Sequence, residues 1–196
     1  MGFLYDNCTF CVFDEEKIKT CDIFSCDHED LDDFFNNDAL DFGVQLLGKS
    51  YCFTLNENPK IITCAFTVSN SSIRVDDMLE DGQNNVRKNI PEEKRLRSYP
   101  AVLVGRLGVN KDYQKHGIGQ ELMDYIKMWF TDPHNKTGCR FIIVDAYNND
   151  NTIKYYINNG FEFTFPDETT EKEYYGLKTR KLKTRSMIFD LIKIKV

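Results

Sequence analysis

The sequence predicts a mixed α/β fold with a crossover unit at its centre. Its front half is rich in strand-like runs, including SYCFTL and KIITCAFTVS, which the turn-rich NENP separates. Its back half alternates in the order strand, helix, strand, helix, strand, with apolar residues at strand and helix periods. Alternating strands and helices of this kind are typical of mixed α/β domains.

In the front half, the first strand is expected around Cys8 to Phe13. An acidic helix should follow from about Asp27 to Leu47, because apolar residues recur there at helical spacing: Leu31, Phe34, Phe35, Leu40, Val44 and Leu47. After the two strands, residues 74–98 form a polar insertion that is predicted to be partly helical. Tyr99-Pro100 is expected to end that insertion.

In the back half, the strand AVLVGRLGV leads into QKHGIGQELM and then into a helix. Four apolar residues of that helix share one face: Ile118, Leu122, Ile126 and Trp129. CRFIIVDAY should be a buried strand, NTIKYYINN a helix closed by Gly160, and FEFTF a further strand. The last strand is expected in SMIFDLIKI.

Length and composition favour one globular domain over residues 1–196. Hydrophobic residues make up 41% of the chain, which excludes a disordered protein. No run approaches the ~20 apolar residues of a membrane span, and the N-terminal residues lack the pattern of a signal peptide. We therefore expect a cytoplasmic protein without a membrane partner. The net charge of −6 argues against a broad nucleic-acid-binding surface.

The chain has seven cysteines, an odd number that cannot all pair. Cys8 and Cys11 have the spacing of half a zinc site, but no second pair follows, and the three histidines are scattered. We expect reduced thiols, with Cys52, Cys64 and Cys139 in apolar strand-like runs, and no metal site.

Gly117 and Gly119 lie where a strand meets a helix. Glycines there allow a tight turn and a close approach of ligand to backbone. The first helical turn offers unpaired N–H groups and the positive end of the helix dipole, which suit a phosphate. Neither the GxxxxGK[ST] loop nor the complete GxGxxG fingerprint is present, so the turn alone is a weak indication of phosphate binding.

Two segments together resemble the GNAT superfamily of acetyltransferases. Gln114, Gly117 and Gly119 match the family's [QR]xxGx[GA] segment, and NDNTIKYYINNGF is similar to its NxxAxxFYxxxGF segment, with Thr152 in place of the usual alanine. The resemblance implies a mixed, mostly antiparallel sheet of six or seven strands. Helices on both faces and a splay between strands 4 and 5 are implied as well.

The resemblance also implies acetyl-CoA as co-substrate and a set of site residues. Backbone groups of Leu107 and Val109 would pair with the pantetheine arm. The pyrophosphate would rest on the segment from Gln114 to Gly119, which includes Lys115, His116 and Ile118. Asn149 is a further candidate for cofactor contact, although it also suits a helix cap.

Tyr156 is the candidate general acid, because a phenol keeps its proton at neutral pH and can donate it to a departing thiolate. The neighbouring Tyr155 should pack inward. The other interpretation is that Tyr155 and Tyr156 both pack in the core. The need for a general base stays open, with Arg106 and Asp145 as candidates.

A finer resemblance is to the branch that includes acetylating toxins of toxin–antitoxin pairs. FSCDHEDLDDFF and YPAVLVGRLGV are similar to two of their segments, with Asp27 where glycine is usual. Those toxins acetylate aminoacyl-tRNA and tend to be basic, whereas this chain is acidic.

Our leading hypothesis is therefore an N-acetyltransferase acting on an amine-bearing small molecule or peptide. Acetylation of aminoacyl-tRNA is the alternative, and a non-enzymatic acyl-CoA sensor or interaction module is the third. A homodimer stays open.

Overall fold

The computed structural model describes residues 2–90, 94–177 and 181–194. The chain divides into two compact units, Met1–Ser69 with Val104–Trp129, and Asn70–Leu103 with Phe130–Val196. Part of the predicted polar insertion, residues 91–93, lies outside the described residues. Within the described ranges, no helix has the length and apolar character needed to cross a membrane. The expectation of a single domain stays a prediction.

Seven strands form one sheet in the order β1-β2-β3-β4-β5-β7-β6. The strands are β1 Cys8–Val12, β2 Lys49–Leu55, β3 Ile62–Arg74, β4 Ser98–Val109, β5 Phe141–Tyr147, β6 Glu162–Phe163 and β7 Thr184–Asp190. The pairs β1–β2, β2–β3, β5–β7 and β6–β7 are antiparallel, and β4 and β5 are parallel. The predicted fold class, a mixed and mostly antiparallel sheet with helices, is confirmed.

The α-helices are α1 Phe3–Asn7, α2 Glu15–Thr20, α3 Glu29–Asp33, α4 Ala39–Val44, α5 Glu80–Asn89, α6 Ile118–Thr131, α7 Asp150–Asn158 and α8 Glu168–Tyr174. A π-helical turn, Phe34–Asp38, joins α3 to α4. Short 3₁₀ turns cover Val75–Asp77, Lys111–Tyr113 and Leu191–Ile194. The sequence did not predict α1, α2 or α8.

In the first unit, α6 packs on the front strands through aromatic side chains. The ring of Phe10 on β1 lies 5.1 Å from that of Tyr125 and 5.3 Å from that of Trp129. Ile118, Leu122 and Ile126 are almost completely buried, as their spacing predicted. This face fixes the orientation of α6, and therefore of the glycine turn that precedes it.

The predicted acidic helix exists, but its inward face is wrong beyond Phe35. Val44 and Leu47 are exposed, at 79% and 55%, and Ala39 is buried instead of Leu40. The π-helical turn takes one more residue per hydrogen-bonded loop than an α-helix, so the following residues are rotated out of the 3.6-residue pattern. A constant helical period could not predict that rotation.

In the second unit, part of the predicted polar insertion joins the hydrophobic core. Val75, Met78, Val86 and Tyr99 pack in one buried cluster with residues of β3, β4, β5 and β7. Tyr99-Pro100 was expected to end the insertion before the next strand. It lies instead inside β4, which begins at Ser98. The last predicted strand is also shorter, because SMIFDLIKI leaves the sheet at Leu191.

Candidate active site

The end of β4 presents the backbone predicted to pair with a pantetheine arm. Asn110 donates from its backbone N–H to the carbonyl of Thr63, and Arg106 donates to Oγ1 of Thr67 on β3. Successive residues of a strand point their backbone groups to opposite edges. Leu107 and Val109 therefore direct their N–H and C=O groups away from β3, in the orientation needed to pair with an extended ligand.

Gln114 ties the loop after β4 to the rest of the first unit. Its Nε2 atom donates to the carbonyl oxygens of Cys26, at 2.8 Å, and Val109, at 3.1 Å. Both donor hydrogens of the amide are used in these contacts. The side chain thus shapes the loop, and any contact of Gln114 with a ligand falls to its backbone or its Oε1 atom.

The turn before α6 takes two residues through left-handed backbone conformations. Lys115 has φ +64° and Gly117 has φ +81°, and a Cβ built on Gly117 meets no atom within 4 Å. The amides of Gln120 and Glu121 donate to the carbonyl of Gly117, which places Gly117 directly before the helix. Lys115 and His116 are exposed, whereas Ile118 is buried and anchors the turn.

This geometry fits a pyrophosphate. The start of α6 is the positive end of its helix dipole, which favours an anion, and Lys115 adds a positive charge. Gly117 leaves open space where any other residue would place a side chain. Gly119 lies in the first turn of α6.

Glu121, which the sequence did not single out, connects the chain start to this helix. Its two carboxylate oxygens accept hydrogen bonds from the backbone N–H groups of Phe3, at 2.9 Å, and Leu4, at 2.8 Å. The Phe3 ring also lies 5.9 Å from the ring of Tyr113, beside the glycine turn. A contact across more than 110 residues leaves no local sequence signal.

Tyr156 lies in the second unit, in the helix α7. It is 8% exposed and packs edge-on against Tyr155, at 5.0 Å, and Phe161, at 5.3 Å. Burial and, second, the charge of Asp145 raise the pKa of its phenol. Tyr155, expected to pack inward, is only half-buried, so Tyr156 is the more enclosed of the pair.

Asp145 on β5 belongs to a cluster of polar groups that sequence reasoning largely missed. Desolvation and, second, the charge of Glu171 raise the pKa of its carboxyl. Glu171 is almost fully buried and accepts hydrogen bonds from Arg185 Nε, at 2.5 Å, and from the backbone of Ser186, at 2.7 Å. Ser186 is the register partner of Asp145 on β7. The carboxyl group of Asp145 therefore lies near the carboxylate of Glu171 and near the phenols of Tyr156 and Tyr175.

Two other candidates have structural roles. Asn149 caps α7, since its Oδ1 atom accepts a hydrogen bond from the amide of Thr152 at 3.0 Å. Its cap role is thus observed, and a cofactor contact stays a prediction. Arg106, a candidate base, lies with its guanidinium 3.8 Å from the ring centre of Phe34 and 5.5 Å from that of Phe42. An arginine stays protonated and cannot accept a proton.

The remaining predictions concern the thiols. All seven cysteines are free thiols. Cys8, Cys26, Cys52 and Cys64 are buried, whereas Cys139, predicted to lie in a strand, precedes β5 and is half-buried.

An extended backbone edge and a helix start that favours an anion, both in the first unit, are the features expected of an acyltransferase that uses a phosphate-bearing thioester. Residues 81–163 match the family described as Acetyltransferase (GNAT) domain. Residues 81–163 therefore carry a GNAT acetyltransferase domain, and the enzyme class is N-acetyltransferase.

A curated relative supports the same class. The chain is 27% identical over 144 residues to a tRNA-acetylating toxin of Mycobacterium tuberculosis, covering 74% of this chain and 79% of the relative.

Solved structures share the fold at lower identity. A tyrosine-to-phenylalanine mutant of KacT has a TM-score of 0.71 at 18% identity, over 97% of this chain and 98% of that one. The structure of AtaT complexed with acetyl-methionyl-tRNAfMet has a TM-score of 0.66 at 16% identity, over 96% of this chain and 97% of that one. The structure of AtaTR bound with AcCoA has a TM-score of 0.63 at 17% identity, over 97% of each chain. These likenesses establish the fold.

Proposed function

We propose that this enzyme transfers an acetyl group from acetyl-CoA to the α-amino group of an aminoacyl-tRNA. The observation that carries the proposal is the relative described as a tRNA-acetylating toxin, which matches three quarters of the chain. A structural neighbour complexed with acetyl-methionyl-tRNA, the product of such a reaction, supports it. The acceptor that we treated as the alternative on sequence grounds is thus preferred over a small amine or peptide.

The co-substrate is acetyl-CoA, which the turn before α6 suits. The pyrophosphate rests on the backbone amides that follow Lys115, with Gly117 giving it room. The extended pantetheine arm pairs with the edge of β4 that points away from β3, at Leu107 and at the N–H group of Val109, whose carbonyl oxygen already accepts a hydrogen bond from Gln114. Both contacts with acetyl-CoA are made mainly by the backbone. The side chain of the exposed Lys115 adds a positive charge beside the pyrophosphate.

The reaction needs few protein groups. The neutral amine attacks the thioester carbonyl, the bond between carbon and sulfur breaks, and the departing thiolate takes a proton from the hydroxyl of Tyr156. Tyr156 then regains its proton from solvent, and the nitrogen, which gained a bond, releases its extra proton to water. Burial keeps the Tyr156 phenol protonated before transfer, because it raises the pKa of that group.

The acceptor's own acidity explains why no strong base is required. An α-amino group has a pKa of about 7.7–8.0, so roughly one molecule in six to one in eleven is neutral at pH 7. A lysine side chain, with a pKa of about 10.4, is neutral in fewer than about one molecule in a thousand. A site without a dedicated base therefore favours an aminoacyl ester over a lysine-bearing peptide.

The test is acetyl transfer from radiolabelled acetyl-CoA to a panel of aminoacyl-tRNAs, with uncharged tRNA, small amines and peptides alongside. We expect label on one or more charged tRNAs, none on uncharged tRNA, and growth arrest when the enzyme is expressed. Tyr156→Phe is the catalytic control. Label on amines or peptides but on no aminoacyl-tRNA would show that the acceptor is wrong.

A further inference from the structure

We propose that Tyr174 and Tyr175, at the end of α8, form a stacking platform for unpaired bases at the 3′ end of the RNA acceptor. This platform rests on the proposed function and specifies how the acceptor is held. Neither residue belongs to the two segments that resemble the family, and neither takes part in the chemistry described above.

The platform is an exposed aromatic surface with a buried support. Tyr174 is 53% exposed, Tyr175 is 50% exposed, and Leu177 beside them is 48% exposed. Behind them lies Phe165, which is buried, with its ring 4.9 Å from Tyr174 and 6.0 Å from Tyr175. The two tyrosine rings meet edge-to-face at 5.2 Å. Large aromatic rings left half in solvent on a packed base are surfaces suited to a flat partner.

Polar contacts hold the two tyrosines in place. The Tyr174 hydroxyl donates to Oδ2 of Asp77 at 3.1 Å. The side chain of Tyr175 lies beside that of Ser186 on β7. Rings fixed in this way lose little conformational entropy when a base stacks on them, which is the advantage of a preformed platform.

The platform lies beside the candidate acid. Ser186, which Tyr175 contacts, is the register partner of Asp145 in the β5–β7 pair. Burial and, second, the charge of Asp145 raise the pKa of Tyr175 and also that of Tyr156, so one carboxylate is close to both phenols. A nucleotide on Tyr175 would therefore place an attached aminoacyl group toward Tyr156.

Positive charge for the RNA backbone comes from the segment before β7. Lys181 and Lys183 are exposed and flank the buried Leu182, whose amide donates to Glu168 in the first turn of α8. Among the described residues, no carboxylate lies within ion-pair distance of either lysine. With α8 only about 10 Å long, these cations and the platform lie at opposite ends of one short helix.

A single-stranded RNA end fits this combination better than a duplex or a protein. Base stacking on aromatic side chains needs unpaired bases and is tolerant of their identity, and lysines follow the phosphates. The local pairing of two cations and two rings also explains how an acidic chain can bind RNA, since it needs only a small basic surface.

Direct binding tests the platform without requiring acetyl transfer. The probe is a fluorescein-labelled single-stranded RNA ending in CCA, followed by fluorescence anisotropy with the full-length enzyme. The test variant carries Tyr174→Leu and Tyr175→Leu, which keep apolar bulk but remove the aromatic faces. Tyr174→Phe with Tyr175→Phe retains the rings, and Tyr5→Leu changes an exposed tyrosine, 78% accessible, in the other unit.

We expect the double leucine variant to bind about 5- to 150-fold more weakly, which is what ~1–3 kcal/mol of stacking per base corresponds to. The double phenylalanine variant and Tyr5→Leu should stay within about threefold of the wild type. Lys181→Gln with Lys183→Gln should reduce the slope of log K against log salt by about 1.4, because each phosphate contact on a single strand contributes about 0.7.

The outcomes separate the platform from the proposed function. Equal RNA affinity of the wild type and the double leucine variant, or no measurable RNA binding by the wild type, overturns the platform even if aminoacyl-tRNA is acetylated. Ring-dependent RNA binding without transfer to any aminoacyl-tRNA supports the platform and overturns the acceptor. Melting curves and the acetyl-CoA affinity of each variant, expected to be unchanged, exclude misfolding as the cause.

Discussion

Gly117 is the residue on which the proposed acetyl-CoA site depends most directly. Its φ of +81° strains any L-residue by roughly 1–2 kcal/mol, and the space beside it is open. We expect Gly117→Ala to weaken acetyl-CoA binding modestly. Gly117→Glu should weaken it by at least a further tenfold, because the carboxylate repels the pyrophosphate.

Gly176 provides the matched control for Gly117. Its φ is +68° and it too has open space, so Gly176→Glu brings the same strain and charge to the second unit. Isothermal titration calorimetry with acetyl-CoA should give an unchanged Kd for this variant. Equal affinities of the wild type and Gly117→Glu would show that the pyrophosphate lies elsewhere.

Tyr156 determines the pH profile that we expect. Burial and Asp145 raise the pKa of its phenol above 10, so the acid keeps its proton throughout the neutral range. The value of kcat/KM should rise as the acceptor amine loses its proton near pH 8, and should not fall again below about pH 10.

Tyr156→Phe distinguishes the contribution of the phenol from that of the acceptor amine to the pH profile. We expect kcat to fall by about 10²- to 10⁴-fold, as for loss of a general acid, while the rising limb and the acetyl-CoA affinity stay as in the wild type. A variant with full activity would remove Tyr156 from the mechanism.

At the scale of elements, Gln114 links the β4–α6 loop to the chain at Cys26. Gln114→Glu replaces a donor by an acceptor against the carbonyl oxygens of Cys26 and Val109. We expect a loss of about 1–3 kcal/mol in the free energy of unfolding and a raised KM for acetyl-CoA. Gln45→Glu, at an exposed position, should change neither quantity in urea titrations and steady-state assays. Similar stabilities of the two variants would contradict the role of Gln114.

Element types followed from sequence period wherever local pattern decided the structure. The spacing of Ile118, Leu122 and Ile126 correctly predicted the buried face of α6, and Gly160 correctly ended α7. The period failed at Val44, because the π-helical turn shifted the register. It gave no sign of α1, whose start is held by the distant Glu121.

Sequence reasoning reached the candidate site where motifs are contiguous in the chain. Two short segments predicted the glycine turn and Tyr156, whose roles stay predictions. The cluster around Glu171 was not predicted, because Asp145, Glu171 and Ser186 meet only through strand pairing and a helix between strands. For the same reason the sequence did not single out Tyr174 and Tyr175, whose proposed role depends on contacts with residues distant in the chain.

At the scale of the molecule, buried thiols make stability depend on alkaline pH. Burial raises the pKa of Cys26 to about 12 and raises those of Cys52 and Cys64 as well. Below about pH 7 these thiols, whose pKa in the unfolded chain is about 8.5, are protonated in both states, so their ionisation does not affect stability. At higher pH the unfolded chain releases protons that the folded chain retains, so stability falls as pH rises.

Urea titrations between pH 7.5 and 10.5 measure this loss. The free energy of unfolding should decline with a slope that grows toward one proton per buried thiol. Cys64→Ala should be less stable at pH 7.5, because it leaves a small cavity, yet its slope should be smaller by about one proton. Equal slopes for the two proteins would place the titrating groups elsewhere.

The burial of the thiols has a practical consequence for measuring turnover. Reagents that detect free coenzyme A react with any accessible thiolate, including those of the enzyme. Cys8, Cys26, Cys52 and Cys64 are enclosed, so the folded protein's background signal comes from the half-buried Cys11, Cys21 and Cys139. Denaturing the enzyme would expose all seven thiols. A colorimetric assay quenched with denaturant therefore overstates product by up to seven equivalents of enzyme, whereas in a continuous assay on the folded protein the background is limited to the three half-buried thiols.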